Sequence, residues 1–95
     1  MHVRVRLPTQ LRNLVAGASS VVVVIDSAPV TVSSVLDSLA ATHPALERRV
    51  RDETGRTRVH VNLFVDADNI RDLDGVETTV AAGSEVSIIP AISGG

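Results

Sequence analysis

The sequence contains no cysteine, no lysine, no tryptophan and no tyrosine, and Phe64 is its only aromatic residue. Without cysteine there is no disulfide framework, no thiolate metal site and no cysteine nucleophile, a composition compatible with a reducing compartment. The longest apolar run, residues 21–25, is far too short to cross a bilayer. The first residues alternate apolar and basic, without the continuous apolar stretch of a secretory leader. A soluble, cytoplasmic protein with no membrane partner is expected. A net charge of −2 and a single aromatic ring leave neither a basic field for phosphates nor a stacking platform, so nucleic acid is not an expected partner. A chain of 95 residues has room for one core and none for a deep private active site. All nine strongly basic residues are arginine. A lysine-free chain cannot receive a conjugate on its own side chains, as suits a modifier that must not label itself, and codon bias in a GC-rich genome gives the same composition.

What the sequence does have is a pair of glycines at its very end, Gly94-Gly95. At a background of about 7% Gly, two terminal glycines arise by chance in roughly 0.5% of chains. Glycine reaches φ/ψ regions closed to other residues, so such a tail can thread a narrow channel and present its carboxylate inside another protein. The competing reading is an ordinary frayed terminus.

Ahead of the tail, hydrophobic periodicity marks out the elements. Val3, Val5 and Leu7 alternate with His2, Arg4 and Arg6 as in a half-buried strand, and Pro8 limits its pairing. Residues 21–25 are all β-branched and form the second strand of a hairpin. Their register cannot be taken from a pattern that does not alternate, and on an edge strand one set of valines needs a cover. Thr31 is an N-cap, followed by Val32, Val35, Leu36, Leu39 and Ala40 at helical spacing, and Pro44 stops this helix near His43. A second short helical piece is expected over 45–50, with Leu46 and Val50 inward and Glu47, Arg48 and Arg49 solvated. Residues 51–58 form a polar loop. Val59, Val61, Leu63 and Val65 alternate with His60, Asn62 and Phe64 in a third strand, which turns Phe64 away from the core. Residues 66–69 make a turn, 70–73 are at most a short strand, and Asp74-Gly75 turns again. The last strand covers 85–90, with Val86 and Ile88 on one face and Ser87 and Ile89 on the other. The domain is expected to span 1–90, with 91–95 as a flexible arm.

Strand, strand, helix, strand, short strand and strand is an α+β, β-grasp arrangement. It implies a mixed sheet of four to five strands with one main helix packed across it and the first and last strands central and parallel. Val61-Asn-Leu-Phe-Val-Asp66, Ile70-Arg71, Thr79, Gly83-Ser-Glu-Val86 and the ending Ser87-Ile-Ile-Pro-Ala-Ile-Ser-Gly-Gly95 resemble the ThiS/MoaD family of ubiquitin-like sulfur carriers. The capped helix ending in His43-Pro44 resembles its family counterpart. The Pro-containing tail and the long loop before the third strand are most similar to the actinobacterial carriers of cysteine biosynthesis.

The resemblance implies chemistry at Gly95. An ATP-dependent activating enzyme adenylates the carboxylate, and a sulfur donor replaces AMP to leave a thiocarboxylate. Gly94 keeps the reaction centre free of side chains, and Ile92 and Ser93 give the arm length and backbone groups to be gripped. The carrier itself is then no enzyme and binds no cofactor. Pyridoxal phosphate and zinc belong to its partners, a cysteine synthase-type acceptor and a zinc peptidase. A molybdopterin synthase large subunit is the alternative acceptor, a protein modifier the alternative role, and a β-grasp interaction module with an inert tail a third.

Phe64 beside Ile89 on the outer sheet face would make an apolar patch of the kind that docks partners, similar to the face that family members offer to activating enzymes. Packing of Phe64 against Ile70, Leu73 or the arm is the alternative. His2, His43 and His60 are too scattered for metal-ligand spacing. Asp66, Asp68, Asp72 and Asp74 lack the Gly and terminal Glu of an EF-hand and are expected to be solvated turn residues. No Ser/His/Asp arrangement sits in a recognisable nucleophile elbow.

Overall fold

Alternation in the first residues gives strand β1 (His2–Arg6), whose Val3 and Val5 are wholly buried while His2, Arg4 and Arg6 are exposed. The computed structural model describes residues 1–90. Strand β2 (Ser20–Val24) pairs antiparallel with β1. Helix α1 (Val32–Thr42) and the short helix α2 (Pro44–Arg48) follow. Strands β3 (Val61–Val65), β4 (Asp68–Asn69) and β5 (Glu85–Pro90) complete a sheet of order β2-β1-β5-β3-β4. The pairs β1·β5 are parallel and β3·β5 antiparallel, so the sheet is mixed and its last strand is also its middle one. This is the β-grasp arrangement expected from the pattern.

Helix α1 covers one face of that sheet. Thr31 and Ser34 form a reciprocal capping box: the Ser34 amide donates to Thr31 Oγ1 at 3.2 Å and the Thr31 amide to Ser34 Oγ at 2.8 Å. Such caps stabilise a helix by about 1 kcal/mol. Val32, Val35, Leu36 and Leu39 are fully buried, whereas Ala40 is half-buried. His43 ends α1, and Pro44, whose missing N–H costs nothing at a first helical position, begins α2. The core they close is aliphatic throughout, with Leu46, Val50, Leu63 and Val86 at 0–1% exposure.

Several expectations need correction. Residues 9–16, for which no element was expected, contain a 3-10 helix, Thr9–Val15, whose Leu11, Leu14 and Val15 pack against the core edge. The second strand begins one residue earlier than expected, at Ser20, and its register turns Val23 inward while Val22 and Val24 stay 53% exposed. Val59 is 87% exposed and precedes β3, because residues 59–60 turn before pairing starts. Within 66–69 only Asp66 and Ala67 turn, since Asp68–Asn69 pairs with Val65 and Phe64. Residues 70–73 are no strand: Asn69 accepts from the Arg71 amide and starts a 3-10 turn, Ile70–Asp72.

The second helical piece spans Pro44–Arg48, shorter than expected, with Leu46 and Val50 inward and Arg48 and Arg49 exposed as expected. Glu47, expected in solvent, is 8% exposed. Arg51, one turn on, donates Nε to Glu47 Oε1 and Nη2 to Asp37 Oδ1 at 2.9 Å, which ties α2 and the following loop to α1. Burial opposes the Arg51 charge, but the two carboxylates outweigh it and hold the guanidinium above its ordinary pKa. That loop closes on itself. Asp52 accepts from the Thr54 hydroxyl and from the Thr54 and Arg56 amides, and Gly55 sits at φ +86°. The Thr54 hydroxyl, foremost among these donors, keeps the Asp52 carboxyl below its ordinary range. A depressed folded-state pKa means that the loop's share of stability is present above the ordinary carboxylate range and is lost as pH falls from there through the lowered folded-state value.

Candidate functional site at the root of the tail

In sequence, the residues that lead to the expected reaction centre follow the sheet's best-supported strand. β5 is hydrogen-bonded on both sides, Val86 facing Val5 of β1 and Val65 of β3, and its last residue, Pro90, lies opposite Val61. Its entry is fixed as well. Asp66, at φ 53°, accepts from the Ser84 hydroxyl at 2.9 Å and the Glu85 amide at 3.0 Å, so this aspartate is a cap on the start of β5 rather than a merely solvated turn residue. Ile92, Ser93, Gly94 and Gly95 lie outside the described residues.

Phe64 and Ile89 share the face opposite the helices. In the β3·β5 register Asn62 faces Ile89 and Phe64 faces Ser87, so the two apolar side chains are diagonal neighbours, about 7–8 Å apart at the backbone. Ile89 is 42% exposed and Phe64 is half-buried, so the outward orientation holds. Asn69, opposite Phe64 on β4, bounds the pair on one side. The same face carries Val22 and Val24 on the edge strand, with the exposed Arg4 and Arg6 row of β1 between the two apolar patches.

Two grooves flank Pro90. One, of about 450 Å³, is floored by Pro8, Leu11, Val61 and Ile88 and rimmed by Arg49, Arg58 and His60. The other, of about 350 Å³, runs over Leu7, Ile88 and Ile89 with Arg6 and Arg12 at its sides. Two of these guanidiniums are aimed by backbone carbonyls: Arg12 Nε donates to Leu7 O at 3.2 Å and Arg58 Nε to Arg48 O at 2.8 Å. None of this was legible beforehand, because the lining comes from five separate stretches of chain.

No group of three or more His, Cys, Asp or Glu able to hold a metal occurs among the described residues, and none of their helices is long and apolar enough to cross a membrane.

Comparison with known proteins fits this geometry. The family model described as ThiS family matches residues 5–95, nearly the whole chain and the tail with it. The chain belongs to the ThiS family. This ThiS-family chain is 33% identical over 97 residues to the sulfur carrier protein CysO of Mycobacterium tuberculosis, with 100% of both chains covered. The crystal structure of M. tuberculosis CysO superposes with a TM-score of 0.81 at 32% identity, over 95% of this chain and 99% of the other. Small archaeal modifier protein 1 of Haloferax volcanii is 36% identical over 81 residues, 85% of this chain and 87% of that one. A chain in the crystal structure of the Amycolatopsis orientalis BexX/CysO complex matches with a TM-score of 0.82 at 29% identity, covering 98% of this chain and 99% of that chain.

Proposed function

We propose that the protein is a sulfur carrier whose working group is the Gly95 carboxylate, and that it donates sulfur in a biosynthetic pathway, that of cysteine in the first instance. The observation that carries this reading is the full-length likeness to a sulfur carrier in a chain whose Gly94-Gly95 follow the central strand after three intervening residues. A carboxylate oxygen attacks the α-phosphorus of ATP and pyrophosphate leaves. A sulfide-level donor then attacks the acyl carbon, AMP leaves, and a thiocarboxylate remains. Both steps belong to an ATP-dependent activating enzyme. The thiocarboxylate is ionised at neutral pH, and its soft sulfur attacks a carbon electrophile on the acceptor without a base from the carrier. The acceptor is a pyridoxal-phosphate cysteine synthase, and a zinc peptidase releases the product.

The test is intact-mass measurement after incubation with ATP, a sulfide source and the host's activating enzyme. Replacement of one C-terminal oxygen by sulfur is expected, and an unchanged mass overturns the reading. The likeness to a small archaeal modifier protein favours a second reading, conjugation through Gly95 to lysines of other proteins, which would appear in the same experiment as higher-mass adducts. The chain itself offers no lysine, and its amino terminus donates to Ile25 O at 2.9 Å.

In this scheme the Phe64 and Ile89 face meets the activating enzyme, because it adjoins the strand that delivers the tail. Truncating an interfacial aromatic removes a major anchor, so Phe64→Ala is expected to raise the Kd for that enzyme about tenfold, equal to about 1.4 kcal/mol. An unchanged Kd for the folded variant, measured by calorimetry, removes Phe64 from the interface.

A further inference from the structure

The two grooves at Pro90 carry four arginines and a histidine, Arg6, Arg12, Arg49, Arg58 and His60, and among the described residues no carboxylate lines either one. This is notable in a chain whose net charge is −2. Three of the acids lie at the other end of the sheet. Asp66 and Asp68 sit where β5 begins, and Asp26 lies just beyond the end of β2 that pairs with His2. Of the four arginines only Arg6 makes an ion pair among the described residues, with Glu85 at a loose 3.8 Å and 60% of its side chain exposed, while the Arg58 charge is felt by Asp52. Where Arg12 and Arg58 are tethered through Nε, the η nitrogens remain as donors aimed by the fold, the arrangement that suits carboxylates.

Geometry ties this collar to the tail. Five residues follow Pro90, and a fully extended chain spans at most about 3.6 Å per residue, so Gly95 reaches no more than about 18 Å from the root. Any enzyme that takes Gly95 into its reaction centre must therefore bring its entrance surface up against the grooves. We propose that this basic collar docks an acidic rim, a set of Asp and Glu side chains around the tail channel of the activating enzyme. The inference rests on the carrier reading given above and adds a surface to it. The apolar groove floors seat aliphatic side chains between the acids, and the charges supply steering and orientation.

The test uses the full chain and the host's activating enzyme, with Kd measured by calorimetry at low and physiological salt. Arg6→Glu with Arg49→Glu reverses one charge in each groove, at exposed sites whose side chains, unlike those of Arg12 and Arg58, donate to no backbone carbonyl among the described residues. The double variant is expected to raise Kd at least about tenfold near 0.15 M salt and to flatten the salt dependence. Arg6→Lys with Arg49→Lys should stay within about threefold of the parent, since charge is kept while the bidentate fork is lost. An unchanged Kd in the charge-reversed variant overturns the collar. Tighter binding overturns it in favour of the chain's own terminal carboxylate as occupant, because reversal would then expel the tail. Salt-sensitive self-association of the parent, seen by sedimentation and lost in the variant, overturns it in favour of a second copy. Thiocarboxylate formation by the parent protein, followed by mass, separates these results from a failure of the carrier reading itself.

Discussion

Removing Gly95, so that the chain ends at Gly94, is expected to abolish sulfur loading while leaving the fold and the docking affinity intact. The variant still ends in a glycine carboxylate, so its chemistry is unaltered and only its position changes. One residue fewer withdraws the carboxylate by about 3.5 Å from the adenylating centre. A displacement of about 1 Å in a reacting group can cost about 100-fold in rate, so a loss greater than that is expected here. Pyrophosphate exchange and intact mass measure it directly. Loading at the parent rate would show that the activating enzyme does not gauge tail length, and would leave the terminal glycine pair without a role.

The largest expected effect on stability lies at Arg51. Replacing it with Met keeps the aliphatic stem but leaves the Glu47 carboxylate, at 11% side-chain exposure, without its cation. Orphaning one member of a largely buried pair costs about 3 kcal/mol. For a domain of this size each kcal/mol lowers Tm by roughly 4–8 °C, so a fall of more than about 10 °C is expected. Asp37 loses its contact too, but at 70% exposure its carboxylate is satisfied by water. Adding Glu47→Leu to the Arg51→Met variant should recover most of the loss, since a matched apolar pair leaves no charge behind. If the double variant melts as low as the single one, packing of the arginine stem rather than the ion pair is the cause. On the alkaline side no titration limb is expected in the parent. The Arg51 pKa is raised, so its contribution is present at every pH below the unfolded value and is lost only as pH climbs through the folded one.

Elements whose burial repeats with a simple period were legible in the sequence, and those stabilised by single tertiary contacts were not. β1, β3 and β5 alternate cleanly because one face of each joins the buried core, and the same alternation put Phe64 and Ile89 on the far side. Thr31 announced α1, although its capping partner is a serine rather than the more usual Glu or Gln. Thr9–Val15 escaped notice because its Leu11, Leu14 and Val15 only skirt the core and make no sustained stripe. Glu47 looked like a surface residue by type, yet its spacing from Arg51 was the available signal, an acid four residues ahead of a base. Val59 carried the β-branched character of a strand residue but had no neighbour to pair with. The grooves beside Pro90 are a product of topology. Arg12 arrives from the 3-10 helix, Arg49 from the end of α2 and Arg58 from the loop that Arg51 secures, and no local pattern connects them.

The central position of β5 has a mechanical meaning as well. A partner that draws Gly95 into its channel pulls along the axis of the strand that ends at Pro90, and that strand is laced to β1 on one side and β3 on the other. The load therefore falls on both ladders in shear, with their hydrogen bonds strained together rather than unzipped one at a time as at a sheet edge. The last strand works as an anchor bolt, so tension on the tail is resisted by the middle of the sheet before it can peel the domain apart.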